Sequence, residues 1–159
     1  MSRVSHIVTY GTLMSTCRGA LGRPERALML RHARLLGITL IPGQLFCAGA
    51  CPAALTVDGR TNRRDRIHCE LWSIHSDAGT LLDQLDRYEG CAVDSPQPSL
   101  YQRRRVQVTT PNGRRVTAWL YEWTHGTEGL RLVPEGRWLE SKQNHREGST
   151  CTAALTMVG

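Results

Sequence analysis

The stretch Ile7-Val8-Thr9-Tyr10-Gly11-Thr12-Leu13 decides how the rest of the chain is read. Its first four residues are β-branched or aromatic and suit a pleated surface, and glycine follows at once, so the run reads as a first strand ending in a turn. Glycine in that place lets the backbone turn with successive amide N–H groups exposed, a nest able to hold a carboxylate or an oxyanion. An ordinary turn carries the same signature, so the stretch alone leaves both readings open.

Working outward, residues 14 to 24 are small, polar and glycine-bearing and read as loop. Pro24-Glu25 opens a helix expected to run to about Leu36, with Gly37 as its stop. Ile38–Ile41 and Leu45–Cys47 are expected as two strands joined at Pro42-Gly43, and Ala54–Val57 as a third, ending at Asp58-Gly59. Ile67–Ile74 alternates so that His68, Glu70, Trp72 and Ile74 share one face. Ser76-Asp77 then offers a cap for a helix over 77–89, with Leu81, Leu82, Leu85 and Tyr88 at helical spacing and Gly90 as its stop. Tyr101–Thr110 and Arg115–Trp123 flank Pro111-Asn112-Gly113, the strongest hairpin signal in the chain. Beyond about Ser141 the sequence turns polar and small. The expectation is an α+β fold, a mixed, barrel-like sheet with few helices, over residues 1–140, followed by a loosely held tail over 141–159.

At 159 residues, with 40% apolar and 21% charged residues, the chain fits one soluble globular domain and excludes disordered, collagen-like and coiled-coil classes. The stretch Leu35–Val57 carries no charge and is long enough to span a bilayer. Gly37, Pro42, Gly43, Gly49 and Pro52 break it into short buried strands, so no membrane segment is expected. The formal net charge is +6, and Lys142 is the only lysine among the cations. The arginines are scattered, and Arg103–Arg105 is the only pure triplet. A basic tract interleaved with aromatics, the footprint of a nucleic-acid binder, is not seen, so nucleic acid is not an expected partner.

Six cysteines stand at 17, 47, 51, 69, 91 and 151, and Met1 to His6 lacks the basic start and apolar run of a secretory signal. A cytoplasmic protein with reduced thiols, no disulfide and no structural zinc is expected. Cys47 and Cys51 have a tolerable ligand spacing, but His68 and Cys69 point to opposite faces of a strand.

Three further positions could carry chemistry. Glu89 ends its helix, where the dipole disfavours an acid; it is either a solvated surface group or is placed there for another reason. Glu70, between apolar neighbours in mid-strand, is either paired with an arginine or part of a pocket. Tyr121 shares a strand face with Trp119 and Trp123, at least one of which is core. The glycine-rich dinucleotide and Walker motifs, Gly-x-Ser-x-Gly and His-Glu-x-x-His are absent, which removes the commonest nucleotide, serine-hydrolase and zinc-protease classes.

Val8-Thr9-Tyr10-Gly11-Thr12-Leu13 resembles the opening strand and Tyr-Gly-[Ser/Thr]-Leu loop of the γ-glutamylcyclotransferase-like family, which includes the γ-glutamylamine cyclotransferases and their small bacterial relatives. Further landmarks follow in order: Gly43-Gln44-Leu45-Phe46 with Gly49 to Pro52, Glu70-Leu71-Trp72-x-Ile74, Leu82-x-x-Leu85-Asp86-x-Tyr88-Glu89-Gly90, Tyr101-x-Arg103 with Ala118-Trp119-x-Tyr121-x-Trp123, and Gly136-Arg137-Trp138. The likeness covers about residues 6 to 140. Cys69 departs from it, standing where the family usually has glycine.

The resemblance implies an enzyme acting on an L-γ-glutamyl amine or amide. The substrate's α-amine attacks its own γ-carbonyl, giving 5-oxoproline and a free amine, with no metal or organic cofactor. Carried over by position, Glu89 is the catalytic acid–base, and Tyr10, Gly11, Thr12, Leu13 and Tyr121 bind substrate. The alternative is a non-catalytic member of the same fold that binds a small acidic metabolite or a protein partner.

Overall fold

The computed structural model describes residues 3–56 and 64–139. Its elements run β1 (His6–Thr9), α1 (Arg23–His32), β2 (Ala33–Ala48), β3 (Cys51–Thr56), β4 (Arg66–Ile74), α2 (Ala78–Tyr88), β5 (Tyr101–Thr109), β6 (Arg115–Trp123) and β7 (Arg131–Leu132), with a 3-10 turn at Pro134–Gly136. The strands form one sheet in the order β3-β2-β4-β1-β6-β5, with β7 added to β2. β1 pairs antiparallel with β4 but parallel with β6, which makes the sheet mixed. It curls into a half-barrel. Thr39 of β2 reaches across the curl to donate to the Thr109 carbonyl of β5 (2.9 Å), and the Thr56 amide of β3 donates to Glu122 of β6 (3.1 Å).

Register assigns the two faces. Ile7 lies opposite Trp72, and Val8 opposite Leu71. Because neighbours in a strand point to opposite sides, Val8, Leu71, Cys69 and Ile67 fall inside the curl with Ile41, Leu45 and Leu120. Ile7, Trp72 and Ile74 fall on the other side and are covered by Met29 of α1 and by Leu81 and Leu85 of α2. Each of these helix residues is fully buried, worth roughly 1.5–3 kcal/mol apiece. Asp77 caps α2 by accepting from the Thr80 amide (3.2 Å).

Several elements differ from expectation. α1 stops at His32 rather than near Leu36, because Ala33 to Leu35 is taken into the sheet opposite Ile74 to Trp72. Pro42-Gly43 is not a turn. β2 runs through it as one strand and changes partner there, from β4 up to Pro42 to β3 from Gly43 on. The uncharged stretch is thus largely β2 and β3, and no helix among the described residues is long and apolar enough to cross a membrane. Cys51 is disulfide-bonded, which corrects the expectation of reduced thiols, whereas Cys17, Cys47, Cys69 and Cys91 are free. Val57, Asp58-Gly59 and the tail over 141–159 lie outside the described residues.

Candidate active site

A cavity of about 420 Å³ opens where β1 ends, between the loop after it and the end of α2. Tyr10, Gly11, Thr12, Leu13, Glu89 and Tyr121 all line it; Glu70 does not.

The loop is built from its backbone. Met14 donates its amide to the Gly11 carbonyl and Cys17 to that of Met14, both at 3.0 Å. The amides of Gly11, Thr12 and Leu13 have no acceptor among the described residues. Gly11 is required by close approach: a Cβ on it would stand 2.1 Å from Cγ of Pro52. From α1, Arg26 fixes the rest, donating to the carbonyls of Thr12 (2.6 Å), Leu21 (2.8 Å) and Gly19 (2.6 Å). Glu70 is 2% exposed and holds the loop from beneath. Its two carboxylate oxygens accept from the Ser15 amide (2.8 Å) and hydroxyl (2.7 Å). Neither earlier reading of Glu70 describes it, because a loop amide and hydroxyl, not an arginine or a pocket, satisfy its charge.

Glu89 occupies the C-cap of α2. Gly90 follows with φ +74°, the left-handed conformation that lets the Gly90 amide bond the Arg87 carbonyl and the Cys91 amide bond that of Asp86 (2.9 Å). This is a complete Schellman closure, which turns the chain sharply and leaves the preceding side chain at the cavity wall. The Glu89 carboxyl makes no hydrogen bond or ion pair among the described residues. Burial first, then the nearby charges of Glu25 and Asp86, push its pKa up from 4.5 to about 8; its seat at the negative end of a helix acts in the same direction.

Tyrosines wall the rest. Tyr10 donates to the Tyr121 carbonyl, Tyr121 to Asp86 (2.7 Å), and Tyr101 to the Pro52 carbonyl (2.6 Å), while Tyr88 and Thr12 share a hydrogen bond (2.8 Å). Asp86 is itself held by Arg103 at 2.9 Å. Burial raises the pKa of all four phenols, so they stay protonated and act as donors or walls rather than bases. Sequence reading passed over Asp86, Arg26 and Pro52 as site-building residues. Asp86 lies three residues before Glu89, one helical turn away, the one spacing that could have flagged it. Leu21, Pro96, Pro98, Ser99 and Leu100 line the wall as well.

One half-buried, unpartnered carboxyl of raised pKa in the same cavity as a loop with free amides is suited to moving protons beside a developing oxyanion. The family model described as "Gamma-glutamyl cyclotransferase, AIG2-like" matches residues 7–140, and the chain belongs to that family. Protein ytfP from Escherichia coli is 26% identical over 86% of this chain and 98% of its own, with a TM-score of 0.55. An AIG2-like protein from Mus musculus is 24% identical over 93% and 100%, with a TM-score of 0.60. A structure described as a gamma-glutamyl cyclotransferase shares the fold at 16% identity over 82% and 72%, with a TM-score of 0.51. No curated protein matches the chain.

Proposed function

We propose that the chain is an active, cofactor-independent cyclotransferase that converts an L-γ-glutamyl amine or amide into 5-oxoproline and the free amine. The observation that carries the reading is the Glu89 carboxyl, without a partner, in the same cavity as the unbonded amides of Gly11 to Leu13. The nucleophile is tethered to the electrophile, so positioning supplies much of the rate. Glu89, ionised, takes a proton from the α-ammonium. The freed amine attacks the γ-carbonyl carbon and a C–N bond forms. The carbonyl oxygen becomes an oxyanion that the loop amides stabilise. As it collapses, the bond to the leaving nitrogen breaks and Glu89 returns its proton there; the attacking nitrogen then sheds its remaining surplus proton through the same carboxylate, and that proton leaves on the free amine as its ammonium. A substrate ammonium beside Glu89 lowers the carboxyl pKa again, favouring the base form when substrate is bound. Tyr10 and Tyr121 wall the glutamyl group, and Leu21, Pro96, Pro98 and Leu100 give the leaving amine an apolar surround.

The test is incubation with a panel of γ-glutamyl amines, amino acids and isopeptides, with detection of 5-oxoproline. At least one should turn over, and Glu89→Gln should abolish that turnover. A folded protein that binds a γ-glutamyl compound without releasing 5-oxoproline from any of the panel would refute catalysis and leave the binding alternative.

A further inference from the structure

A second cleft, of about 400 Å³, lies at the opposite end of β1. His6 of β1, Ser73 of β4 and Arg34 of β2 are directly opposite one another across three adjacent strands. They share the face of Val8 and Leu71, the side that is apolar elsewhere along the curl. The tip of the β5–β6 hairpin forms the other wall with Thr110, Pro111, Asn112 and Arg114. Its shape is fixed: the Gly113 amide donates to the Thr110 carbonyl (2.9 Å) and the Arg114 amide to the Thr110 hydroxyl (3.0 Å). The tip is seated on β2, with the Pro111 ring against Gly37. Leu36, the extra residue at the β2 bulge, and Val116 complete the lining.

The charge is one-sided. Among the described residues no carboxylate lines the cleft. Arg103 and Arg104 on the same sheet are neutralised by Asp86 and Glu122, but the guanidiniums of Arg34 and Arg114 have no ion pair among the described residues. Burial, and then the Arg114 charge, lower the His6 pKa, as expected beside a positive field. Hydroxyl, amide and guanidinium donors without a competing acid match a tetrahedral dianion, which arginine binds through two parallel hydrogen bonds. The apolar lining and the volume, within the roughly 300–1,000 Å³ usual for small-molecule pockets, leave room for a carbon body beside it.

We propose that this cleft binds the phosphate monoester group of a small organic molecule, held by Arg34 and Arg114 with the Ser73 hydroxyl and the Asn112 side-chain amide, whose orientation the Thr110 hydroxyl fixes by donating to its oxygen. The site is separate from the Glu89 cavity and does not depend on the function proposed for that cavity.

The probes are phenyl phosphate and inorganic phosphate, titrated into the full chain by calorimetry at physiological salt. Phenyl phosphate should bind once per chain with Kd below about 1 mM, and more tightly than inorganic phosphate because its ring meets Leu36 and Val116. Arg34→Gln with Arg114→Gln should weaken it about tenfold or more through loss of charge-assisted bonds, whereas Arg131→Gln on β7 should not. Methyl NMR shifts of Leu36 and Val116 in the unaltered protein provide a readout that needs no variant. No saturable binding, binding without shifts at these methyls, or inorganic phosphate equalling phenyl phosphate would each overturn the proposal. So would a single-stranded oligonucleotide that binds the cleft and is not displaced by phenyl phosphate.

Discussion

Replacing Glu89 by glutamine should remove activity and at the same time stabilise the protein at neutral and alkaline pH. The native carboxyl has its pKa lifted from 4.5 to about 8, first by burial and then by Glu25 and Asp86. The native state therefore holds a proton that the unfolded chain gives up between these values, so stability is full below pH 4.5 and falls as pH rises through 8. At about 1.4 kcal/mol per pH unit, the loss accumulates to the order of 3–5 kcal/mol. Glutamine keeps the shape and does not titrate. Urea unfolding of both proteins between pH 4 and 9 should show curves that run together at the acid end and part steadily above pH 4.5, with the variant more stable. Turnover with an accepted substrate should drop by about 10²–10⁴, the usual worth of a general acid–base. In the unaltered protein kcat/KM should rise with pH as Glu89 ionises, with its midpoint near pH 8 and a plateau only above about pH 9. A stability difference that does not change with pH would mean that Glu89 titrates normally, and the inference from its burial would be wrong. Normal turnover by the variant would remove it from the mechanism.

Other perturbations separate the parts of the site. Glu25→Gln and Asp86→Asn should each move the kcat/KM profile to lower pH, the former further, because Glu25 is the larger charge influence on Glu89; a profile that stays in place would deny the coupling. Glu70→Gln sets an amide NH2 against the donors of Ser15, and should cost about 1–3 kcal/mol in urea unfolding with only a modest change in kcat per folded molecule. Gly11→Ala drives a methyl into the Pro52 ring; it should destabilise by about 1–3 kcal/mol and depress turnover, and Pro52→Ala in the same chain should recover part of both.

The fold was legible where one physical signal acted alone. Leu81, Leu85 and the Asp77 cap specify α2, and Asn112-Gly113 specifies the β5–β6 hairpin. It was misread where two partners compete for one segment. Ala33 to Leu36 has the apolar content of a helix end, but β4 offers it a ladder, and tertiary pairing overrides propensity. Pro42-Gly43 looks like a turn because local sequence does not encode that a long strand is passed there from one neighbour to another. The Tyr10–Leu13 loop and Glu89 could be singled out by position. Asp86 offered only its one-turn spacing from Glu89, and Arg26 and Pro52 offered no signal, because they act on main-chain groups of the loop after β1 that local sequence does not pair with them.

Arg26 meets the loop after β1 through three carbonyl oxygens and no side chain. A main-chain contact is indifferent to residue type, so Leu21, which is held through its carbonyl, can change its side chain while that carbonyl keeps its place. The cavity wall there is consequently a surface whose chemistry can be rewritten without moving its scaffold. Substitutions at Leu21 should alter which amines fit long before they alter whether the loop holds its form. A single guanidinium thus separates the shape of the site from its selectivity.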